Sequence, residues 1–437
     1  MTEVDSNFVD WFRSTAPYIR VHRGKTFVIQ FDDKLVYGDY FTDFVHDLAL
    51  LNGLGINLVL VFGARESIES WLRENNEPSN FHDDLRITNA ETMDLVKSAA
   101  GKLRFEIESR LSMGLGNTPM SNAELIVSSG NFVRARPAGI VNGIDYQFTG
   151  KVRSIDGDAI QAKLAREEII LLPPLGFSVT GETYNMNAIN LASDVAAELQ
   201  ADKLIYLVHG DGLLDQDDAV IRQLVQAEAE TMLAEGKLEN NLHVRAGLAA
   251  CGKGVPRVQF IDADASGSLL QELFTRDGVG TMISATSYDE IRGASVDDIA
   301  AILDLIEPLE KQGVLVERSR EKLELEIEHF TLLLRDNVII GCAALYPFPN
   351  EKSVELACFA IHPEYHGLGM GVQLLELMEK TAADAGMQSL FVLTTQAEHW
   401  FLENGFAECE LEDLPVEKKQ LYNYQRKSRV LTRSIGS

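Results

Sequence analysis

The chain is expected to be an α/β protein of two domains. Short, wholly apolar segments alternate with helical ones through its first two thirds. Its 437 residues exceed what one hydrophobic core usually supports. Near the C-terminus a differently patterned region runs from an apolar strand through a glycine-spaced turn into a helix.

Strands that are apolar on both faces and lie between helices indicate a parallel sheet covered on both sides. In chain order they are TFVIQF (26–31), following Gly24-Lys25; NLVLVFGAR (57–65); ELIVS (124–128); IILLP (169–173); and KLIYLV (203–208). Helical spacing is expected over 40–53, between the first two strands. Residues 142–163 read as a β-hairpin insertion that turns at Asn142-Gly143. The segment FVDWFRSTAPYIR (8–20) reads as an amphipathic helix, whose Phe8, Trp11, Phe12 and Tyr18 could be buried against a neighbouring subunit. The stretch SATSYDEIR (284–292) is expected to join the domains, which divide as 1–285 and 286–437.

Composition limits the function class. An apolar fraction of 46% and a charged fraction of 24% are ordinary for a globular protein. A net charge of −27 argues against nucleic acid or an anionic membrane as partner, and says nothing about substrate. Cys251, Cys342, Cys358 and Cys409 are scattered without metal-ligand spacing, so no metal is expected and the thiols should be reduced, as in the cytoplasm. The N-terminus has no secretory pattern, and no apolar run is long enough to span a membrane.

The C-terminal pattern carries chemistry. In VELACFAIHPEYHGLGMG (354–371) the strand ends at Pro363 and the turn His366-Gly367-Leu368-Gly369-Met370-Gly371 enters a helix beginning Val372-Gln373-Leu374-Leu375. Glycines let a backbone approach its ligand closely, and N–H groups at a helix N-terminus bind anions, so the turn reads as a pyrophosphate cradle. No Gly-Lys-Ser/Thr follows it, and no βαβ unit with a downstream acid surrounds it. It resembles the acyl-CoA loop of GNAT N-acetyltransferases, with His366 in the position of the family's Gln or Arg. HWFLENGF (399–406) is similar to the segment that ends GNAT domains. The resemblance implies acetyl-CoA as co-substrate, held by Ala360, Ile361, His366, Gly367, Leu368, Gly369, Met370 and Gly371. It also implies a strand that splays at a bulge and pairs with the pantetheine arm. Phe401 stands where the family often has a tyrosine acid, which leaves proton donation to another residue.

Residues 20–285 resemble the amino-acid kinase fold, an α/β/α sandwich, through LVLVFGAR (58–65), the stretch 172–208 and GSLLQELFTRDGVGTMI (267–283). Kinases of that fold begin with Lys-x-Gly-Gly. Here the matching strand reads Gln30-Phe31-Asp32-Asp33, and Gly63-Ala64-Arg65 replaces a triple glycine. Two carboxylates where phosphate should approach would repel it by several kcal/mol if desolvated. The domain is therefore expected to be catalytically silent.

A silent kinase-like domain followed by a GNAT domain is the plan of the bacterial N-acetylglutamate synthases, and the matching stretches extend to GVLVERSREKLE (313–324), LFVLTTQAEHWFLENGF (390–406) and LYNYQRKSRVL (421–431). The resemblance implies acetyl transfer to the α-amino group of L-glutamate. A protonated amine cannot attack a thioester until a base takes its proton, and Glu355 is the candidate base. Thr394 matches the residue near the departing sulfur. Arg318 and Arg426 with Ser428 fall in the substrate-binding stretches, where arginine forks suit a diacid; Lys418, Lys419 and Lys427 are expected on solvated faces. Cys358, three residues past Glu355, would face the other way in a regular strand, and a bulge could bring it back toward substrate. It could equally be a small buried hydrophobe. The same resemblance implies regulation by L-arginine, held between the N-terminal helix and the 267–283 segment through Tyr18, Glu272, Gly278 and Gly280, in a homo-oligomer of six subunits. A working acetylglutamate kinase and a metabolite-regulated protein-lysine acetyltransferase remain alternatives.

Overall fold

Side chains alternate along a β-strand, so a strand with apolar residues on both faces must have a core on each side. Thr26–Phe31 does. Phe27, Ile29 and Phe31 enter one core with the helices Phe41–Gly53 and Ala90–Leu111. Val28, with Val59 and Val61 of the neighbouring strand, enters a second core with helix Ala188–Glu198. The computed structural model describes residues 6–113, 125–210, 212–215, 219–238, 241–275, 278–285, 289–335, 338–367, 369–420 and 428–435. The chain divides into two units, Met1–Thr286 and Ser287–Ser437.

In the first unit an eight-stranded sheet runs Gln223–Val225, Thr281–Ser284, Arg257–Asp262, Lys203–Val208, Thr26–Phe31, Asn57–Phe62, Ile169–Leu172, Val127–Ser128. Its pairings are parallel except that between Arg257–Asp262 and Thr281–Ser284. The same unit holds a closed four-stranded barrel of Val133–Pro137, Thr149–Ile155, Leu175–Phe177 and Thr183–Met186.

The expected hairpin over 142–163 is smaller than its pattern suggested. Asn142 and Gly143 do turn, at φ +54 and +81, but between two-residue strands, Ile140–Val141 and Ile144–Asp145. Thr149–Ile155 belongs to the barrel, and Gly157–Leu164 is a helix capped by the Asp156 side chain. The N-terminal helix spans Ser6–His22. His22 ties it to helix Ser268–Phe274 through a 2.8 Å hydrogen bond to the Leu273 carbonyl.

The second unit carries a seven-stranded sheet ordered Asp289–Gly293, Phe330–Arg335, Val338–Phe348, Ser353–Ile361, Ser389–Thr394, Arg429–Ser434, Ala407–Glu408. Only Ser353–Ile361 with Ser389–Thr394 is parallel. Residues 289–292, expected in the domain connection, are instead ladder-paired with Leu332–Arg335. Helix Met370–Asp384 covers one face with Leu374, Leu375 and Met378 against Val354, Leu356, Leu390 and Val392. Helices Ile299–Lys311 and Arg320–Glu326 cover the other with Ile302, Ile306 and Leu323 against Leu332, Cys342 and Ala360.

Candidate active site

One extra residue shapes the strand Ser353–Ile361. Ala357 lies opposite Ala344, but Ala360 lies opposite Cys342, so three steps on one strand match two on its partner. Cys358 absorbs the bulge at φ +50, a left-handed conformation uncommon in residues with a Cβ. A regular strand would send Cys358 to the face of Val354 and Leu356. Instead Phe359 packs on that face, and Cys358 is buried with Cys342, Ala344 and Ala360 on the opposite one. Glu355 shares that face, since its cross-strand partner is Tyr346, which packs against the same cluster. The bulge thus puts Glu355 and Cys358 on one side.

The neighbouring parallel strand, Ser389–Thr394, pairs with this one only from Ser353–Ser389 to Glu355–Phe391. Both strands continue beyond that point without pairing, so a gap opens directly past Glu355. An open strand edge can accept an extended arm carrying amides. At the far end of the strand the His362 amide donates to the Ile340 carbonyl at 2.7 Å. The turn then passes through Gly367 and Gly369 at φ +80 and +77, and Gly369 caps helix Met370–Asp384. The His366 ring folds back, its Nε2 2.9 Å from the Ile361 carbonyl. Ala360 and Met370 bury their side chains and can offer a ligand only backbone groups. Gly371 has a packing reason, since a Cβ there would lie 3.0 Å from the Trp400 ring. Leu368 lies outside the described residues.

Glu355 is buried, and its Oε1 is 2.6 Å from the Lys418 ammonium. Lys418, expected on a solvated face, is therefore in the site, brought by the short helix Val416–Gln420. Beside them is a buried polar group that pattern reading did not assemble. The Tyr346 hydroxyl donates to Glu326 at 2.5 Å, and burial pushes that phenol well above its usual range. Arg318 donates its amide to Glu310 at 2.9 Å and its Nη1 to the Val316 carbonyl at 3.1 Å. Its Nε is buried without a hydrogen-bond partner among the described residues. A buried N–H left unmatched costs about 1–3 kcal/mol, so a carboxylate from substrate would be well received there. A hydrogen bond from the Cys342 thiol and the Arg318 charge lower the Cys358 pKa, against the opposing effect of burial.

Thr394 is buried and accepts the Ala397 amide at 2.9 Å, which ties it to the start of helix Glu398–Glu403. The alternation that sends Leu390 and Val392 toward helix Met370–Asp384 sends Thr394 there too, opposite to Glu355. The two groups thus flank the gap from opposite faces. Phe401 is packed among Phe359, Trp400 and Phe406 and has no proton to give. Ser428 precedes strand Arg429–Ser434, and Arg426 lies outside the described residues.

In the first unit Asp32 and Asp33 are both held by the protein's own groups. Asp33 is buried and accepts the Ser67 amide at 2.5 Å and the Glu66 amide at 3.3 Å, closing the N-terminus of helix Arg65–Glu74 with the protein's own anion. Asp32 caps the helix Asp33–Tyr37 and holds His209 at 3.1 Å. A cavity of about 500 Å³ remains there, lined by Gln30, Asp32, Arg65, Asn185 and His209 among others.

Of the residues expected around arginine, the structure joins three. Glu272 Oε2 accepts the Val279 and Gly280 amides at 2.7 and 2.9 Å, and Oε1 accepts Gln259 Nε2 at 2.7 Å. Gly278 has φ +59, and a Cβ there would meet that carboxylate at 2.4 Å; a Cβ at Gly280 would lie 2.1 Å from the Phe260 carbonyl oxygen. Tyr18 is half-buried against the core that contains Leu269 and Leu273. Asp277, next to Gly278 in that loop, lies outside the described residues, as do the side chains of Phe8, Trp11 and Phe12.

Residues 25–262 match the amino acid kinase family, and residues 299–406 match the acetyltransferase (GNAT) family. The chain is 46% identical over 433 residues to an amino-acid acetyltransferase of Photobacterium profundum, covering 98% of each. It is 44% identical over 440 residues to that of Escherichia coli strain K12, covering 99% of each. Among solved structures it superposes with a TM-score of 0.91 and 36% identity on N-acetylglutamate synthase from Neisseria gonorrhoeae complexed with coenzyme A and L-arginine. That match covers 98% of this chain and 100% of the other. Among the described residues no helix is long and apolar enough to cross a membrane, and no cluster of three or more His, Cys, Asp or Glu side chains is arranged to hold a metal ion.

Proposed function

The chain belongs to the amino-acid acetyltransferase family, and from that premise we propose that it transfers the acetyl group of acetyl-CoA to the α-amino group of L-glutamate. One observation carries the reading: the buried carboxylate of Glu355 stands where the two strands part, on the bulged face that also holds Arg318. The thioester enters the gap, its pantetheine arm paired with the open edge past Glu355 and its pyrophosphate against the Gly367–Gly371 turn. Glu355 takes a proton from the glutamate ammonium, directly or through one water, and the freed amine attacks the thioester carbonyl. The C–S bond breaks toward the opposite face, where the Thr394 hydroxyl donates a hydrogen bond to the departing thiolate. Arg318 and Arg426, with Ser428, hold the two substrate carboxylates.

L-Arginine is a feedback effector of this enzyme, bound between the N-terminal helix and the Glu272 loop, in a cytoplasmic homohexamer. The L-arginine complex of the gonococcal relative supports the effector; its place of binding, the hexamer and the cytoplasm rest on the sequence resemblance alone. ATP is not a substrate, because Asp33 already occupies the helix N-terminus that would receive phosphate.

Purified protein tested with acetyl-CoA should release CoA with glutamate present and not with a lysine peptide, with kinetics of a ternary complex. Equal turnover with the peptide, or ping-pong kinetics through an acetylated Cys358, defeats the proposal.

A further inference from the structure

The ion pair at Glu355 is placed unusually for an enzyme that must receive an amine. Lys418 Nζ lies 2.6 Å from Glu355 Oε1, and the two side chains are only 21% and 9% exposed. An ammonium hydrogen-bonded to this carboxylate is what the substrate itself must supply before the base can act. The carboxylate has a second oxygen, but two ammonium groups on one partly buried carboxylate repel each other. Lys418 is carried on a five-residue helix, Val416–Gln420, whose first amide reaches Glu351 Oε1 at 3.4 Å. Such a short element can move the lysine at little cost in buried apolar surface, since it contains no buried residue. It also leads straight into 421–427, the stretch that contains Arg426.

We propose that in the glutamate-free enzyme Lys418 occupies the subsite of the substrate's α-ammonium, and that glutamate binds by displacing it. This rests on the reading of Glu355 as the base. It makes Lys418 a determinant of glutamate affinity that acts by competition. A binding-competent state populated one time in ten weakens the apparent affinity about tenfold. Lys418→Met should therefore lower the KM for glutamate by about tenfold, with kcat not reduced and the KM for acetyl-CoA unchanged. Lys418→Arg keeps a cation on the carboxylate and should keep a KM within about threefold of the parent, the residual being the difference between guanidinium and ammonium. An unchanged or raised KM in Lys418→Met overturns the proposal, a raised one meaning that Lys418 binds substrate. So does a loss of kcat at constant KM, which would mark Lys418 as a residue that orients the base.

A second readout needs no variant. Lysine acylation of the unaltered enzyme by an N-hydroxysuccinimide ester, followed by peptide mass spectrometry, should be faster at Lys418 with saturating glutamate than without it, when scaled in the same digest to the exposed Lys311, which corrects for the ester that glutamate consumes. Protection, or no change, overturns displacement even if the variant fails to fold. Failure of the base reading is seen separately, as a normal kcat in Glu355→Gln.

Discussion

At the scale of single residues the site asks opposite things of its two key charges. Glu355 must be buried enough to exclude water yet able to take a proton. Replacing it by glutamine preserves shape and removes the base, so kcat should fall by about 10²–10⁴-fold. Steady-state rates between pH 7 and 9 check this, and a near-normal kcat across that range would remove Glu355 from the role. Arg318 must hold a fixed planar charge whose Nε is unmatched among the described residues. Lysine there keeps the charge and loses the fork. Each charge-assisted bond is worth about 1.5–3 kcal/mol, so Arg318→Lys should weaken glutamate binding by about 10- to 150-fold. Acetyl-CoA affinity should stay within a few-fold, and isothermal titration with each ligand separates the two effects. An unchanged glutamate affinity would mean that the guanidinium serves only the buried group around Tyr346.

At the scale of elements, helix Phe41–Gly53 shows how an otherwise apolar face can carry a titrating charge. Asp47 is 8% exposed on that helix. Burial, and then the charge of Asp43, push its carboxyl from 3.8 up to about 7. The folded protein keeps a proton there that the unfolded chain releases near its ordinary value. This contribution to stability is full below about pH 4 and is lost as pH rises through 7, up to about 4 kcal/mol in all. Asp47→Asn should therefore match the parent in melting temperature at pH 4 and exceed it at pH 8. Equal melting temperatures at both values would show that the site stays hydrated. Helix Arg65–Glu74 makes a second element-scale case, because its N-terminal amides are already bound to Asp33. Titration calorimetry with Mg-ATP should show no micromolar binding, and measurable phosphorylation of acetylglutamate would contradict the silent domain.

At the scale of the whole molecule the prediction concerns communication from the kinase-like unit to acetyl transfer. Arginine must bind two arrangements of the protein with different affinity, a coupling typically of about 1–3 kcal/mol. Millimolar arginine should lower glutamate-dependent CoA release and raise the melting temperature. Glu272→Ala should abolish both responses while leaving arginine-free activity within a few-fold. That variant also frees the amides of Val279 and Gly280, so Glu272→Gln, which keeps an acceptor oxygen, separates loss of charge from loss of the loop. If arginine changes neither rate nor melting temperature, the unit is a scaffold.

Local chemistry was legible in the chain before any coordinates. TFVIQF and KLIYLV form strands over the residues their apolar runs suggest, and the 40–53 pattern forms helix Phe41–Gly53, because periodicity and turn chemistry act between near neighbours. The glycine turn into helix Met370–Asp384 was readable for the same reason. What depends on partners distant in sequence was not. The 142–163 pattern could not reveal that Thr149–Ile155 pairs with Val133–Pro137 in a barrel, nor could 284–292 reveal a strand supplied with its ladder by Phe330–Arg335. No residue type announces that Cys358 takes φ +50 and turns onto the face of Glu355. Lys418 looks like any surface lysine until a short helix sets it 2.6 Å from that carboxylate. Backbone elements follow from local preferences, whereas the identity of a charge's partner is decided by packing, which brings together residues that the chain keeps far apart.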